Sequence, residues 1–456
     1  MFWRKRVPVP QIEDLSWIDG FVERIRPHVT VREADSLLIL MPNQVHRLNR
    51  TGLLLLKAVL GGASIETVLA QAGSTPDCHR QCHRQCRRQV ADFFFALHKA
   101  MRGCLGEGSH LRGVDIVPFE GGFHRLPVLS EIALTSRCNL TCSFCYAACS
   151  PGRSHDSMST EDVKRVIRII RQDAQVPSTS FTGGEPTLRE DLAELIGYAR
   201  SVGMRVNLIT NGTLATAQRV RRWVDAGLNS VQVSLEGGSP AIHDALTGVP
   251  GSFERTVAGI RAFQASGIHV HTNTTINRRN RDHLEELVDR VASMGLNKLS
   301  MNLVLPCGTA QESPGDLLVR YDEVAPILAR VRSRARRNGV ELMWYSPVPV
   351  RLFNSVAEGL GSKGCAASDG LLSVSPTGDV LPCSSFPYGV GNLLSEPFEK
   401  IWQSRAALRL RAKALAPAAC HGCGLFKMCE GACPLYWAVV GTAEAEKCRG
   451  IHAAAS

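Results

Sequence analysis

The sequence predicts an α/β fold: a partial barrel of six strand–helix units, with a small domain before it and a loop-rich, cysteine-bearing domain after it. Three observations lead there. Between Leu126 and about Trp344, short β-branched runs alternate with amphipathic stretches, the pattern of a parallel sheet covered by helices. Glycines at 103, 106, 108, 113, 121 and 122 separate this zone from what precedes it, as a domain link would. From about Val350 the chain becomes loop-rich and holds seven of its 16 cysteines, which suits a small irregular domain built around metal.

A length of 456 residues suggests about three domains. With 44% hydrophobic and 21% charged residues the chain can bury a core. No apolar run approaches the ~18–20 residues that span a bilayer. The basic start, Met1 to Arg6, is followed by Gln11-Ile12-Glu13-Asp14 rather than by the apolar stretch of a signal peptide. The protein is therefore expected to be soluble and cytoplasmic, with no membrane partner. The excess of 52 basic over 42 acidic residues is mild for this length. It leaves an acidic partner open without implying nucleic acid.

The N-terminal zone, 21–105, reads as strands at 36–40 and 45–49, helices at 52–60 and 65–70, and a further helical stretch through 91–97. A link over 106–126 comes next. Within 127–345, strands are expected at 128–135, 178–182, 205–210, 230–235, 269–276 and 298–303, with helices at 160–172, 191–202, 217–226, 253–265 and 282–294. A barrel of this kind carries its site at the C-terminal ends of the strands. The last zone, 350–450, completes the chain. Near the N-terminus, Cys78-His79-Arg80-Gln81 is repeated as Cys82-His83-Arg84-Gln85 and again around Cys86. On a helix this spacing makes one slowly drifting stripe. The plainer reading is a local duplication in a basic, solvated helix; a metal pair is the alternative.

Directly after the first barrel strand stands Cys138-Asn139-Leu140-Thr141-Cys142-Ser143-Phe144-Cys145. Three thiolates in one loop can hold three irons of a 4Fe–4S cube and leave the fourth open. A zinc site would need a fourth ligand, for which Cys149 is the local candidate. The second motif is Thr182-Gly183-Gly184-Glu185-Pro186-Thr187, at the end of the second strand. Its glycines permit close backbone approach, and its carboxylate can accept from an ammonium group.

Together these resemble the radical S-adenosylmethionine superfamily, over roughly 126–305. The resemblance implies that Cys138, Cys142 and Cys145 ligate a cluster whose open iron is chelated by S-adenosylmethionine. It places Phe144 near the adenine and Gly183, Gly184, Glu185 and Pro186 at the methionine amino group. Asn211, Ser234, Glu236, Thr275 and Asn277 fall at later strand ends, where relatives contact the cofactor; turn and capping roles are the alternative for these five. The implied chemistry is one-electron cleavage of the sulfonium to a 5′-deoxyadenosyl radical that abstracts a substrate hydrogen. A flavodoxin- or ferredoxin-type protein would supply the electron. No catalytic residue beyond these is assigned.

The last zone contains Cys365, Gly378, Cys383, then Cys420-x2-Cys423-x5-Cys429-x3-Cys433, and Cys448. Seven cysteines do not divide into four-ligand zinc sites. The spacing is similar to the SPASM extension of radical enzymes, which houses two auxiliary 4Fe–4S clusters and would bring the total to three. By that likeness Cys420, Cys423, Cys429 and Cys448 hold the outer cluster, and Cys365, Cys383 and Cys433 the inner one. Relatives supply a fourth inner thiolate shortly before the position of Cys365, where this chain has Gly359, Leu360 and Gly361. The fourth iron is then open, bound by Cys307 or reserved for a substrate thiol. Sulfatase-maturing relatives carry an acid after the cysteine matching Cys383; Ser384 stands here, so that activity is not expected.

The N-terminal pattern resembles the winged-helix-like peptide-recognition domain of pyrroloquinoline quinone biosynthesis, which binds a precursor's leader segment by strand addition. A plain winged-helix cap or a nucleic-acid binder is the alternative. The residues from Cys78 to Arg102 carry six basic side chains and one acidic, which would suit an acidic leader or a phosphate backbone. The resulting expectation is a radical enzyme that crosslinks a ribosomally made precursor peptide, through a thioether or a carbon–carbon bond. The alternatives are a small-molecule substrate such as a tetrapyrrole side chain, and a non-catalytic iron–sulfur scaffold that binds peptides.

Overall fold

Asn49 opens the first helix after the N-terminal strands by accepting the Gly52 N–H at 2.7 Å, a side-chain cap that stops the preceding strand and starts the helix. The structure, a computed structural model, describes residues 15–41, 44–72, 80–101, 110–111, 114–115, 125–152 and 157–453. The chain divides into two compact units, Met1–Val128 and Leu129–Ser456. Among the described residues no helix is long and apolar enough to cross a membrane.

In the first unit the strands β1 (Val29–Arg32), β2 (Leu37–Leu40), β3 (Gln44–Leu48), β4 (His110–Leu111) and β5 (Val114–Asp115) form one antiparallel sheet in the order β1-β2-β3-β5-β4. The helices are α1 (Ser16–Ile25), α2 (Arg50–Leu60), α3 (Ile65–Ala72) and α4 (Arg80–Met101). Ile18, Phe21, Leu38, Leu56, Phe94 and Leu97 meet in their common core. Two expectations need correction. The unit begins before residue 21, because α1 packs Phe21 and Ile25 into this core. The span 106–126 is not purely a link, since β5 pairs with Arg47 and Leu48 of β3. Two-residue strands give too short a pattern to detect in sequence. Arg32, 2% exposed, donates to Asp35 and to the carbonyls of Leu126 and Pro127, so the stretch leading to the second unit is tied back to β1. Cys82 and Cys86 lie on α4 as the repeat suggested; Cys78 and Cys104 lie outside the described residues.

The second unit is built on a nine-stranded, mostly parallel sheet. Six strands and their helices alternate as expected, with α8 as one helix more than the sequence reading gave: β6 (Leu129–Ala133), α5 (Thr160–Gln172), β7 (Ser178–Thr182), α6 (Leu192–Ser201), β8 (Arg205–Thr210), α7 (Ala217–Asp225), β9 (Ser230–Ser234), α8 (Pro240–Thr247), α9 (Ser252–Ala265), β10 (His269–Ile276), α10 (Leu284–Ser293) and β11 (Lys298–Leu303). Ser159 and Asp162 form a reciprocal cap that starts α5. The sheet continues beyond the six. β12 (Glu341–Trp344) pairs parallel with β11, and β13 (Leu371–Val374) pairs parallel with β6, succeeded by antiparallel β14 (Val380–Leu381). The zone 350–450 is thus not a separate unit. Its β13 is a continuation of the barrel sheet, a pairing across more than two hundred residues that no local pattern encodes.

Alternation along the strands sets the two faces. On β8, Val206, Leu208 and Thr210 are buried while Arg205, Asn207 and Ile209 stay partly open on the other face. On that inner face the amides and hydroxyls bond to one another: Asn207 to Ser180 and Ser230, Asn273 to Asn302 and Ser300, and Gln232 to His271.

Candidate functional site

The segment after β7 runs against the segment that leads into Cys138. Gly184 N–H donates to Thr135 O at 2.7 Å and Glu185 N–H to Arg137 O at 2.8 Å, so the β6–β7 ladder continues past both strand ends. This explains the paired glycines. A Cβ on Gly183 would lie 2.4 Å from Thr135 O, and one on Gly184 would lie 2.1 Å from Arg137 O.

The cysteine loop is held by three neighbouring loops on the same rim. Asn211, after β8, donates to Asn139, which in turn donates to Thr213. Thr141 and Ser143 donate backbone N–H groups to Thr247 and Leu246 at the end of α8. Thr309, after β11, donates its N–H to Cys145 O at 2.9 Å and its hydroxyl to Cys142 O at 3.0 Å. Asn139 and Thr309 are anchoring residues that sequence reasoning missed. Asn139 lies inside the cysteine motif and could have been found there; nothing in sequence marks Thr309.

Cys138, Cys142 and Cys145 come together within electrostatic range of one another. Burial pushes the Cys138 thiol up to about 12 and the Cys142 thiol well above its ordinary value, each further raised by neighbouring negative charge. Cys145 moves the other way, to about 6, because Cys149 hydrogen-bonds to it and backbone N–H groups add to that. A half-buried trio that repels its own ionised forms is the donor set a cationic metal centre would stabilise. Among the described residues no three His, Cys, Asp or Glu side chains converge on a single metal ion; a cube takes each thiolate at a separate iron.

Glu185 is fully buried. Its carboxylate accepts from Thr187 N–H and hydroxyl, Thr210 hydroxyl and Asn211 N–H. This carboxylate locks the β7 and β8 loops together, a structural duty the motif did not reveal. Pro186 and Thr187 are buried beside it. Phe144 packs on Val304, Ala310, Leu317 and Leu318. Asn277 is spent on its own turn, accepting from Arg279 N–H and donating to Thr275 O. Glu236, 3% exposed, accepts from Thr275 N–H and lies in electrostatic range of Cys142; burial raises its carboxyl to about 8. Ser234 ends β9 on the partly open face.

The remaining cysteines form two groups. Cys420, Cys423, Cys429 and Cys448 line one cavity of about 300 Å³ together with Arg351 and His421, and their charges act on one another. Cys365, Cys383 and Cys433 form the other, with Cys383 pushed up by burial and then by the other two sulfurs. Lys413, nearly buried, bonds Cys365 O, Asp369 and Glu430. Tyr321 accepts from Cys433 N–H at 3.3 Å and stacks on Tyr436 at 3.8 Å. Ser384 has an acidic partner from elsewhere in the chain: it hydrogen-bonds Glu131 of β6, which also accepts from Ser373 at 2.6 Å. Sequence spacing could not bring a residue of the first strand to this position.

Two buried imidazoles of the second unit are biased to the neutral form. Burial lowers His243 to about 4 and His271 to about 3, and His243 Nδ1 accepts the Glu236 N–H at 3.1 Å. The unfolded chain then binds more protons below pH 6.5, so stability is lost as pH falls, by up to about 1.4 kcal/mol per pH unit for each histidine. His271→Gln should accordingly flatten the fall in apparent Tm between about pH 7 and pH 5 relative to the parent. An unchanged slope would mean that His271 is not neutral in the fold.

The parallel sheet with a cysteine loop and a Gly-Gly-Glu-Pro turn on its C-terminal rim defines a class of protein, and comparison with known sequences agrees. Residues 132–291 match the radical SAM superfamily and residues 365–424 match an iron–sulfur cluster-binding domain, SPASM. The chain belongs to the radical SAM superfamily and carries a SPASM domain; it is an enzyme that uses S-adenosylmethionine and iron–sulfur clusters. An AdoMet-dependent heme synthase of Nitratidesulfovibrio vulgaris is 30% identical over 321 residues, 65% of this chain and 85% of that protein. The mycofactocin maturase MftC of Mycobacterium tuberculosis is 28% identical over 326 residues, 70% of this chain and 81% of that one. In fold the chain is similar to Streptococcus suis SuiB bound to the precursor peptide SuiA. That match has a TM-score of 0.64 and 17% identity, and it covers 90% of this chain and 95% of that one.

Proposed function

We propose that this enzyme modifies a ribosomally made precursor peptide, closing an intramolecular crosslink through a thioether or a carbon–carbon bond. The observation that carries this reading is the N-terminal unit. A match over 90% of the chain exceeds Leu129–Ser456 by about eighty residues, so the likeness to the peptide-bound SuiB fold extends into Met1–Val128. That unit ends its sheet in β1, and an edge strand offers unpaired N–H and C=O groups to an extended leader. The inner barrel face adds support: its neutral amides and hydroxyls suit peptide groups.

In this reading Cys138, Cys142 and Cys145 hold the cluster that binds S-adenosylmethionine, and the two SPASM groups hold one cluster each, three in all. The bound cofactor supplies a carbon radical able to take a hydrogen from an unactivated carbon. The chain's own residues do the rest. Gly183 and Gly184 bring backbone close to the cysteine loop, Glu185 fixes that approach, and the buried Glu236 lies in electrostatic range of Cys142. Arg137, Thr247 and Thr309 hold the loop still. A flavodoxin- or ferredoxin-type protein is the proposed electron donor.

Likeness to heme synthases favours a second reading, a tetrapyrrole side chain as substrate. Mass spectrometry separates the two. Under anaerobic conditions with S-adenosylmethionine and reductant, short peptides encoded beside the gene should lose hydrogen in pairs, while an added iron tetrapyrrole stays unchanged. A changed tetrapyrrole mass with the peptides untouched would overturn the peptide reading.

A further inference from the structure

We propose that the buried ammonium of Lys413 sets the reduction potential of the inner auxiliary cluster, holding it higher than the two carboxylates beside it would allow. The assignment rests on the ligand sets proposed above. Lys413 follows the helix Arg405–Arg411, and its side chain is 8% exposed. The ammonium donates to the carbonyl of Cys365 and pairs with Asp369 at 3.0 Å and Glu430 at 2.8 Å. Ser368, next to Asp369, donates its N–H to Pro382 O at 2.9 Å, beside Cys383. Glu430 lies between Cys429 and Cys433, and a Cβ on Gly364 would meet its Oε2 at 2.5 Å. One cation thus joins the segments that carry all three inner thiols.

A packing role alone does not call for a charge here. Burying an ionic group costs several kcal/mol even when it is paired, and an apolar side chain of similar volume fills such a space without that cost. The backbone is unfavourable as well: Lys413 and Glu430 hold left-handed conformations, at φ +54° and +50°, which residues other than glycine resist. The neighbouring cation, Arg411, is engaged elsewhere. Its Nε donates to Ser368 O at 3.0 Å, and its guanidinium lies 4.6 Å from the Trp402 ring centre. Reduction adds one negative charge to a cube, and a fixed positive charge in a poorly polarisable surround stabilises that state more than the oxidised one. Asp369 and Glu430 act the other way. One ammonium against two carboxylates leaves a formal charge of −1, and each single replacement moves it by one unit.

The test uses the full chain with Cys138, Cys142 and Cys145 replaced by Ala, loaded with iron and sulfide, so that auxiliary iron is read alone. Titration with dithionite, followed by electron paramagnetic resonance, gives the midpoint potentials, and the inner signal is the one that Cys383→Ala removes. Lys413→Gln should lower that potential, making reduction about tenfold less favourable, or about 59 mV for one electron. Asp369→Asn should raise it. The double variant Lys413→Gln/Asp369→Asn restores the formal charge and should return the potential to near the parent value, a reversal that a purely structural role would not produce. An inner potential indifferent to Lys413→Gln, or equally lowered in the single and double variants, would overturn the assignment. If Lys413→Gln does not hold iron, Asp369→Asn decides by itself: no upward shift overturns the assignment. Iron far below about eight per chain with Lys413 intact would instead overturn the two-cluster reading beneath it.

Discussion

Replacing Cys138, Cys142 and Cys145 together with Ala should reduce the formation of 5′-deoxyadenosine from S-adenosylmethionine to the level of a control without enzyme, while auxiliary iron stays bound. These three thiols share one loop and repel one another when ionised, so no partial set is expected to retain a cube. The outer auxiliary group lines its own cavity, and Cys365, Cys383 and Cys433 lie in the same SPASM zone outside the cysteine loop, which is why auxiliary iron should survive. Chromatographic assay of 5′-deoxyadenosine alongside iron per chain checks both halves. Turnover at the parent rate would remove this loop from the site.

Gly184→Val should be almost as damaging although it alters no ligand. Its Cβ would sit 2.1 Å from Arg137 O and 2.6 Å from Arg137 C, both backbone atoms of the residue before Cys138. That backbone must then move by about 1 Å, and a displacement of this size at a reacting centre costs about a hundredfold in rate. Gly152→Ala is the matched control, since a Cβ there meets nothing within 4 Å. The comparison is the rate of 5′-deoxyadenosine formation with iron content measured in parallel. Equal rates for the two variants would mean that close approach of the β7 loop to the cysteine loop is not needed.

The barrel was legible because its strands and helices each carry their own local pattern. The expected helix at 160–172 and the strands at 178–182, 205–210, 269–276 and 298–303 coincide with the observed elements. β4 and β5 were not expected because each is two residues long, below the length at which alternation is distinguishable from a loop. The cysteine motifs were legible for a different reason. Cluster ligands must be thiols, and their spacing is short enough to survive as a pattern in the chain.

Residue roles that depend on a partner far along the chain were hidden. Glu185 could be singled out from its motif, but its four internal bonds to Thr187, Thr210 and Asn211 depend on how the β7 and β8 loops meet. Ser384 looked like a missing acid, yet Glu131 reaches it because β13 pairs with β6 and sets Ser373 opposite Glu131.

The sequence by itself determined the class: strand–helix alternation and thiol spacing are local, and local interactions are written in consecutive residues. Only the tertiary structure decided which thiols and carboxylates share a site. Hydrogen bonding and charge act over a few ångströms, and the contacts of Thr309 with the cysteine loop and of Glu131 with Ser384 join residues from about one hundred and sixty to more than two hundred and fifty positions apart.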